Sequence, residues 1–198
     1  MRRETTIGAD YFEQMYRDDA DPWKFATSDY EAAKYDRTLA ALPAGRFARV
    51  LEVGCSIGVL TQRIAPRCDA LVAVDVSATA LAQAAERCAD LRQVTFAQMA
   101  VPDRVPDGVF DLVLLSEVVY YLDSADIVRL ADYLRGAMAA GAHLLLVHWT
   151  GVTDYPKTAD AATEELRAAL GPAVSAVHAE RHDAYRLDLW RGTERDAG

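Results

Sequence analysis

Apolar positions along the chain fall into two patterns. Residues 49–53, 71–75, 94–97, 109–115 and 144–149 are short apolar runs, which predict strands. The runs at 109–115 and 144–149 are nearly unbroken, as in strands buried on both faces. Stretches of helical spacing lie between and around them. Residues 11–17 predict a short helix ending at the acidic turn 18–22. Ser28-Asp29-Tyr30-Glu31 is a capping box and predicts a helix to about Leu42, stopped by Pro43. Further helices are expected over 59–65, from a cap at Ser77 to about Cys88, over 126–139 with Gly141 as its stop, and over 163–170 closed by Gly171-Pro172. Residues 174–180 and 184–190 alternate across a short break and predict an antiparallel hairpin. Strands alternating with helices give an α/β fold with a mostly parallel, Rossmann-like sheet.

The length of 198 residues suits one domain, 1–198, with a substantial core. Hydrophobic residues make up 52% and charged residues 26%, the balance of a soluble globular protein. Asp and Glu number 30 against 21 Lys and Arg, a formal charge of −9. That balance argues against a nucleic-acid partner and suits a small neutral or cationic substrate. Cys55, Cys68 and Cys88 form no C-x-x-C pair, and no apolar leader opens the sequence. Reduced thiols in a cytoplasmic protein are therefore expected. Asp111, Ser116 and Glu117 interrupt the longest apolar runs, so no membrane span is expected.

Candidate chemistry concentrates at Leu51-Glu52-Val53-Gly54-Cys55-Ser56-Ile57-Gly58 and Val74-Asp75-Val76-Ser77. An apolar strand runs into two glycines where a helix opens. The next strand ends in a carboxylate, placed where a ribose diol lies on a doubly wound sheet. Glycine at the turn permits close approach of a ligand to the backbone. The dinucleotide fingerprint G-x-G-x-x-G is absent, because Ser56 and Val59 occupy its second and third glycine positions. No Gly-Lys-Ser/Thr follows, so there is no P-loop either. The E-x-G-x-x-x-G turn resembles the first motif of class I S-adenosylmethionine (SAM) methyltransferases.

A wider set of motifs narrows the resemblance. It comprises Tyr11-Phe12-Glu13, Asp21-Pro22-Trp23, Tyr30-Glu31 with Lys34-Tyr35, the glycine turn, residues 116–122 (Ser-Glu-Val-Val-Tyr-Tyr-Leu) and residues 148–156 (His-Trp-Thr-Gly-Val-Thr-Asp-Tyr-Pro). Together they are similar to the NodS family of nodulation-factor N-methyltransferases and their relatives, over nearly the whole chain. The resemblance implies a class I methyltransferase fold with a mostly parallel seven-stranded sheet and a C-terminal antiparallel hairpin. It also implies a helical lid over residues 1–43 and a SAM-binding core over 44–198. The implied reaction is SAM-dependent methylation of an amine on a small molecule or oligosaccharide, as on a deacetylated chitin fragment. S-adenosylhomocysteine would be the other product. Where relatives carry a Leu-Thr-Gly-Asp-Glu type stretch, this chain has Lys157-Thr158-Ala159-Asp160-Ala161. That departure leaves room for a different acceptor.

On this reading Gly54, Cys55 and Gly58 border the methionyl group, and Asp75 with Val76 holds the ribose. Gln98, Met99 and Ser116 adjoin the cofactor, and Trp23 and Tyr35 close over it. Packing is the competing role for Gly58, Met99 and the aromatic residues. Glu52 reads as structural. Glu117 and His148 end neighbouring apolar runs and are the candidate bases, since an ammonium must lose a proton before it can attack a methyl group. Tyr120, Tyr121, Trp149 and Asp154 are candidate acceptor contacts. His178 and His182 read as structural, and no metal is expected. Rival readings are a small-molecule O-methyltransferase and a non-catalytic SAM-binding protein.

Overall fold

The computed structural model describes residues 2–193. The chain divides into two compact units, one of Gly8–Pro106 and one of residues 2–7 with 107–193. Seven strands are ordered β3-β2-β1 in the first unit and β4-β5-β7-β6 in the second.

The first unit opens with α1 (Ala9–Asp18) and α2 (Asp29–Ala41). Ser28 caps α2 by accepting the Glu31 amide, while the Glu31 side chain pairs with Lys34 at 2.9 Å. Next come β1 (Phe47–Val53), α3 (Val59–Ile64), β2 (Cys68–Asp75), α4 (Ala78–Arg87) and β3 (Val94–Gln98). β1, β2 and β3 pair in parallel, so their carboxyl ends share one rim. α4 buries Ala80, Leu81 and Ala84 at helical spacing. Gly58 begins α3 at φ +78, and a Cβ there would meet Ala84 Cβ at 2.9 Å. The space left by its missing side chain therefore serves the packing of α3 against α4.

In the second unit β4 (Phe110–Ser116) pairs in parallel with β5 (Met138–Trp149), and α5 (Ser124–Ala137) connects them. Leu112 to Leu115 and Leu144 to Val147 are all buried, as their unbroken apolar runs require. Ile127, Leu130, Ala131 and Leu134 form the buried stripe of α5. α6 (Ala159–Leu170) follows, and then β6 (Val174–Arg181) and β7 (Tyr185–Gly192) form the antiparallel hairpin. β7 lies between β5 and β6 and is antiparallel to both.

Boundaries differ from expectation chiefly at the start of β5 and the start of α6. α5 ends at Ala137, and Gly141 (φ +70) lies inside β5 rather than stopping a helix. Met138 pairs with Phe110, so strand pairing claims residues whose small side chains read as helical. α6 starts four residues earlier than the pattern suggests, because Thr158 caps it by accepting the Ala161 amide at 3.1 Å. The departing stretch 157–161 therefore enters a helix. Its charges bond within the unit, Lys157 to Ser124 and Glu165, and Asp160 to Arg186. The three cysteines are buried and unbridged. Among the described residues no helix is long and apolar enough to cross a membrane.

Candidate active site

In the first unit the turn after β1 is tied to the end of β2. The amides of Gly54 and Cys55 donate to the Val74 carbonyl at 2.8 and 3.1 Å. Gly54, Ser56 and Gly58 all take positive φ, at 74°, 53° and 78°. For Ser56 this left-handed conformation is unusual and costs energy that the surrounding contacts must offset. Its amide donates to Asp75 Oδ2 at 2.8 Å, and the amide of Ser77 donates to Asp75 Oδ1 at 2.9 Å. Asp75 is buried, and burial raises its pKa, against which these amides act. Two carboxylate oxygens offer about four lone-pair directions, so acceptor capacity remains after these two bonds.

At the same rim the Met99 amide donates to the Asp75 carbonyl at 2.9 Å, and Gln98 Nε2 donates to the Val76 carbonyl at 3.0 Å. Cys55 is buried beside the turn, and burial pushes its thiol up, so it stays protonated. Glu52, only 2% exposed, is pushed up to about 8, first by burial, while the Thr61 hydroxyl moderates the rise and Asp75 adds to it. Neither Glu52 Oε2 nor Thr61 Oγ1 completes a hydrogen bond.

α1 and the segment after it add an aromatic chain. Tyr16 meets Trp23 edge-on at 5.6 Å, Trp23 stacks on Phe25 at 5.6 Å, and Phe25 lies 6.5 Å from Tyr35. Arg63 sits over the Tyr35 ring at 5.5 Å. Tyr16 contacts the Ser56 hydroxyl, and Glu13 accepts the Ser77 hydroxyl at 2.7 Å.

In the second unit Glu117 follows β4 at φ +58, held by its amide on the Val147 carbonyl at 2.8 Å. Its Oε2 accepts the Trp149 amide at 2.9 Å and the Tyr120 hydroxyl. Burial and then the Glu117 charge keep Tyr120 a phenol. Tyr120, Tyr121 and Tyr155 form a ring cluster with centroid separations of 4.6, 5.3 and 4.7 Å. Trp149 is 39% exposed, and its ring covers Gly151 so closely that a Cβ there would lie 2.1 Å from it. Ser116 is half-buried at the end of β4.

Two of the candidate residues in this unit make contacts of their own. His148 is fully buried, and its Nε2 accepts the Val119 amide at 3.1 Å. The lone pair that a base would use is therefore committed to the backbone. Asp154 pairs with Arg3 at 3.2 Å, and its carbonyl accepts the Arg3 amide at 2.8 Å, so it secures its own loop. His178 and His182 flank Glu180 at 2.5 and 2.7 Å on the hairpin.

The fold thus gathers Gly54, Cys55, Asp75, Val76, Gln98 and Met99 on one rim, and Glu117, Tyr120, Tyr121 and Trp149 in one cluster. Glu13, Tyr16, Ser77 and Tyr155 were not among the expected site residues. A helix of α1's length offers many polar side chains, and nothing local marks the ones that reach the turn after β1 and the start of α4.

The family model for Nodulation protein S (NodS) matches residues 9–145. The chain belongs to the NodS family. Among curated relatives, Nodulation protein S of Sinorhizobium fredii is 29% identical over 127 residues, which is 63% of this chain and 59% of that protein. Its counterpart in Rhizobium tropici is 31% identical over 127 residues, 63% of this chain and 53% of that protein. The match therefore spans less than two thirds of the length of these NodS relatives. Among solved structures, the N-methyltransferase NodS of Bradyrhizobium japonicum WM9 in complex with S-adenosylhomocysteine superposes with a TM-score of 0.80. It is 22% identical, and the match covers 95% of this chain and 100% of that one. The fold is that of the class I methyltransferases.

Proposed function

We propose that this NodS-family protein is a SAM-dependent methyltransferase that acts in the cytoplasm on the nitrogen of an amino sugar or similar small amine. The observation that carries the reading is the Asp75 carboxylate, held by two amides beside a turn of three positive-φ residues. A nucleoside without phosphates needs such a site: backbone that can be approached closely, and an acid for its diol. The residues present fit that group. Residues 54–58 would hold its methionyl part, Asp75 and Val76 its ribose, and Gln98 and Met99 its base. Trp23 and Tyr35 would offer aromatic faces to its positive charge.

When bound, the cofactor supplies a methyl group on a sulfonium. The chain's own part is to orient the acceptor and take its proton. A protonated amine has no lone pair, so the proton would pass to the Glu117 carboxylate, which Trp149 and Tyr120 hold in place. Tyr120, Tyr121 and Trp149 would give the acceptor an aromatic wall, and positioning would supply most of the remaining rate. His148 is assigned to holding the Val119 amide rather than to proton transfer.

Calorimetry with S-adenosylhomocysteine tests the cofactor assignment. Binding by the wild type is expected, with at least a roughly tenfold loss in Asp75→Ala, because charge-assisted hydrogen bonds are worth about 1.5–3 kcal/mol. Unchanged affinity, or tight binding of NAD instead, would overturn it. Incubation with SAM and glucosamine oligomers, read by mass and fragmentation, tests the acceptor atom. A methyl on oxygen would replace the N-methyl reading with an O-methyl one.

A further inference from the structure

Ser56 and Ser77 make the same pair of contacts on opposite sides of one carboxylate. Each donates its amide to Asp75, at 2.8 Å on Oδ2 and 2.9 Å on Oδ1. Each uses its hydroxyl on α1. Ser56 contacts the Tyr16 hydroxyl, and Ser77 donates to Glu13 Oε2 at 2.7 Å. Glu13 and Tyr16 are three apart on α1 and so lie on one face of the helix. Glu13 also accepts the Thr79 hydroxyl at 2.7 Å and the Thr79 amide at 3.2 Å. A carboxylate at the start of α4 meets unpaired amides and the positive end of the helix dipole. The Ser77 and Thr79 bonds hold Glu13 at a pKa of about 2, so it stays ionised across the working pH range. Tyr16 is buried, and its burial keeps the phenol protonated.

We propose that Glu13 and Tyr16 are positioning residues for the cofactor: acting through Ser77 and Ser56, they fix the two amides that aim the Asp75 carboxylate. The proposal rests on the SAM reading, in which Asp75 holds the ribose. It adds that α1 sets cofactor affinity through two serine hydroxyls. The local chemistry favours such a linkage. Ser56 occupies a left-handed conformation that reverts readily without support, and its amide direction depends on that conformation. Ser77 caps α4 by accepting the Ala80 amide at 3.1 Å, so its hydroxyl already has one fixed bond and a second locks its orientation.

The test is a pair of double-mutant cycles read by calorimetry with S-adenosylhomocysteine on the full chain. Ser77→Ala and Ser56→Ala keep the amides that bond Asp75 and remove the hydroxyl links, Ser77→Ala together with the cap on the Ala80 amide. Glu13→Ala cuts the Ser77 link together with the Thr79 contacts, and Tyr16→Phe cuts the Ser56 link, from the other side. Each single variant should weaken binding by roughly three- to tenfold, the range of one or two lost hydrogen bonds. Within each cycle the double variant should lose less than the sum of the two singles, because both changes break a shared connection. Gln14→Ala, on the exposed side of α1, should bind like the wild type, and melting temperatures without ligand identify any variant that merely unfolds.

Affinities within twofold of wild type for Glu13→Ala and Tyr16→Phe would overturn the proposal while leaving the cofactor reading intact. Additive losses would also overturn it, since α1 would then act independently of the serines. No binding by the wild type would overturn the cofactor reading and this proposal together.

Discussion

His148 Nε2 accepts the backbone N–H of Val119 at 3.1 Å, joining the end of β5 to the turn that carries Tyr120 and Tyr121. The ring is therefore neutral, with its proton on Nδ1. The Tyr120 ring packs on it edge-to-face at 5.1 Å. His148→Phe leaves the Val119 amide buried without an acceptor and should cost about 1–3 kcal/mol in urea denaturation. His148→Gln offers an amide oxygen and should recover part of that loss. Its pH–rate profile should keep the wild-type shape. A profile that loses its ascending acidic limb in this variant would restore His148 as the base.

Glu117 differs from His148 in being half-buried, with a carboxylate that accepts from Trp149 and Tyr120. Glu117→Gln keeps an oxygen for both donors and removes the proton acceptor. We expect kcat to fall by at least ~100-fold, the usual worth of general base catalysis. The affinity for S-adenosylhomocysteine, measured by calorimetry, should stay within twofold. Parallel loss of binding would assign Glu117 to the cofactor instead.

The parts of this architecture that were legible in the sequence are those encoded locally. Gly54 and Asp75 announce themselves because a strand must end before a turn or a carboxylate is useful. Val113 and Leu145 belong to apolar runs that only a doubly covered strand tolerates. Ser28, Ser77 and their helices follow from capping chemistry. The remainder depends on long-range pairing. Glu13 reaches Ser77 across 64 positions, and Tyr16 reaches Ser56 across 40. Gly141 looked like a helix stop because its pairing strand, β7, lies far along the chain. His148 was placed correctly at a strand end, but its burial and the direction of its lone pair are tertiary facts.

Glu52 predicts an alkaline weakness. Its carboxyl titrates near 4.5 when unfolded and near 8 when folded, because burial disfavours the charge. The folded state therefore binds the proton more tightly, and stability falls as pH rises from about 4.5 to about 8. Glu52→Gln is uncharged and can donate to Thr61 Oγ1. It should be more stable than wild type by at least ~1.4 kcal/mol at pH 8, a tenfold change in proton affinity. The gain should shrink towards pH 5. Equal urea midpoints at pH 5 and pH 8 for both proteins would show that Glu52 ionises freely.

Thr6 predicts the opposite pH sign. In the second unit residues 2–7 run along the turn and loop that carry the tyrosines. Arg2 donates to the Tyr155 carbonyl at 2.7 Å and Ile7 to the Tyr121 carbonyl at 3.0 Å. Thr6 is the hub: its hydroxyl donates to Asp126 Oδ2 at 2.5 Å and accepts the Asp123 amide at 2.9 Å. Asp123 caps α5 and is held below the ordinary carboxylate range, first by the Asp126 amide and further by Thr6. A depressed carboxylate stabilises the fold above its unfolded value of 3.8, and that stability is lost as pH falls through the lower folded value. Thr6→Val removes the hydroxyl and leaves the Asp123 amide unpaired. It should cost about 1 kcal/mol at neutral pH. It should also raise the acid-unfolding midpoint and speed hydrogen exchange at residues 121–126. Thr6→Ser keeps the hydroxyl and should restore both. A Val variant with wild-type exchange and acid midpoint would mean that residues 2–7 lie on the unit without supporting it.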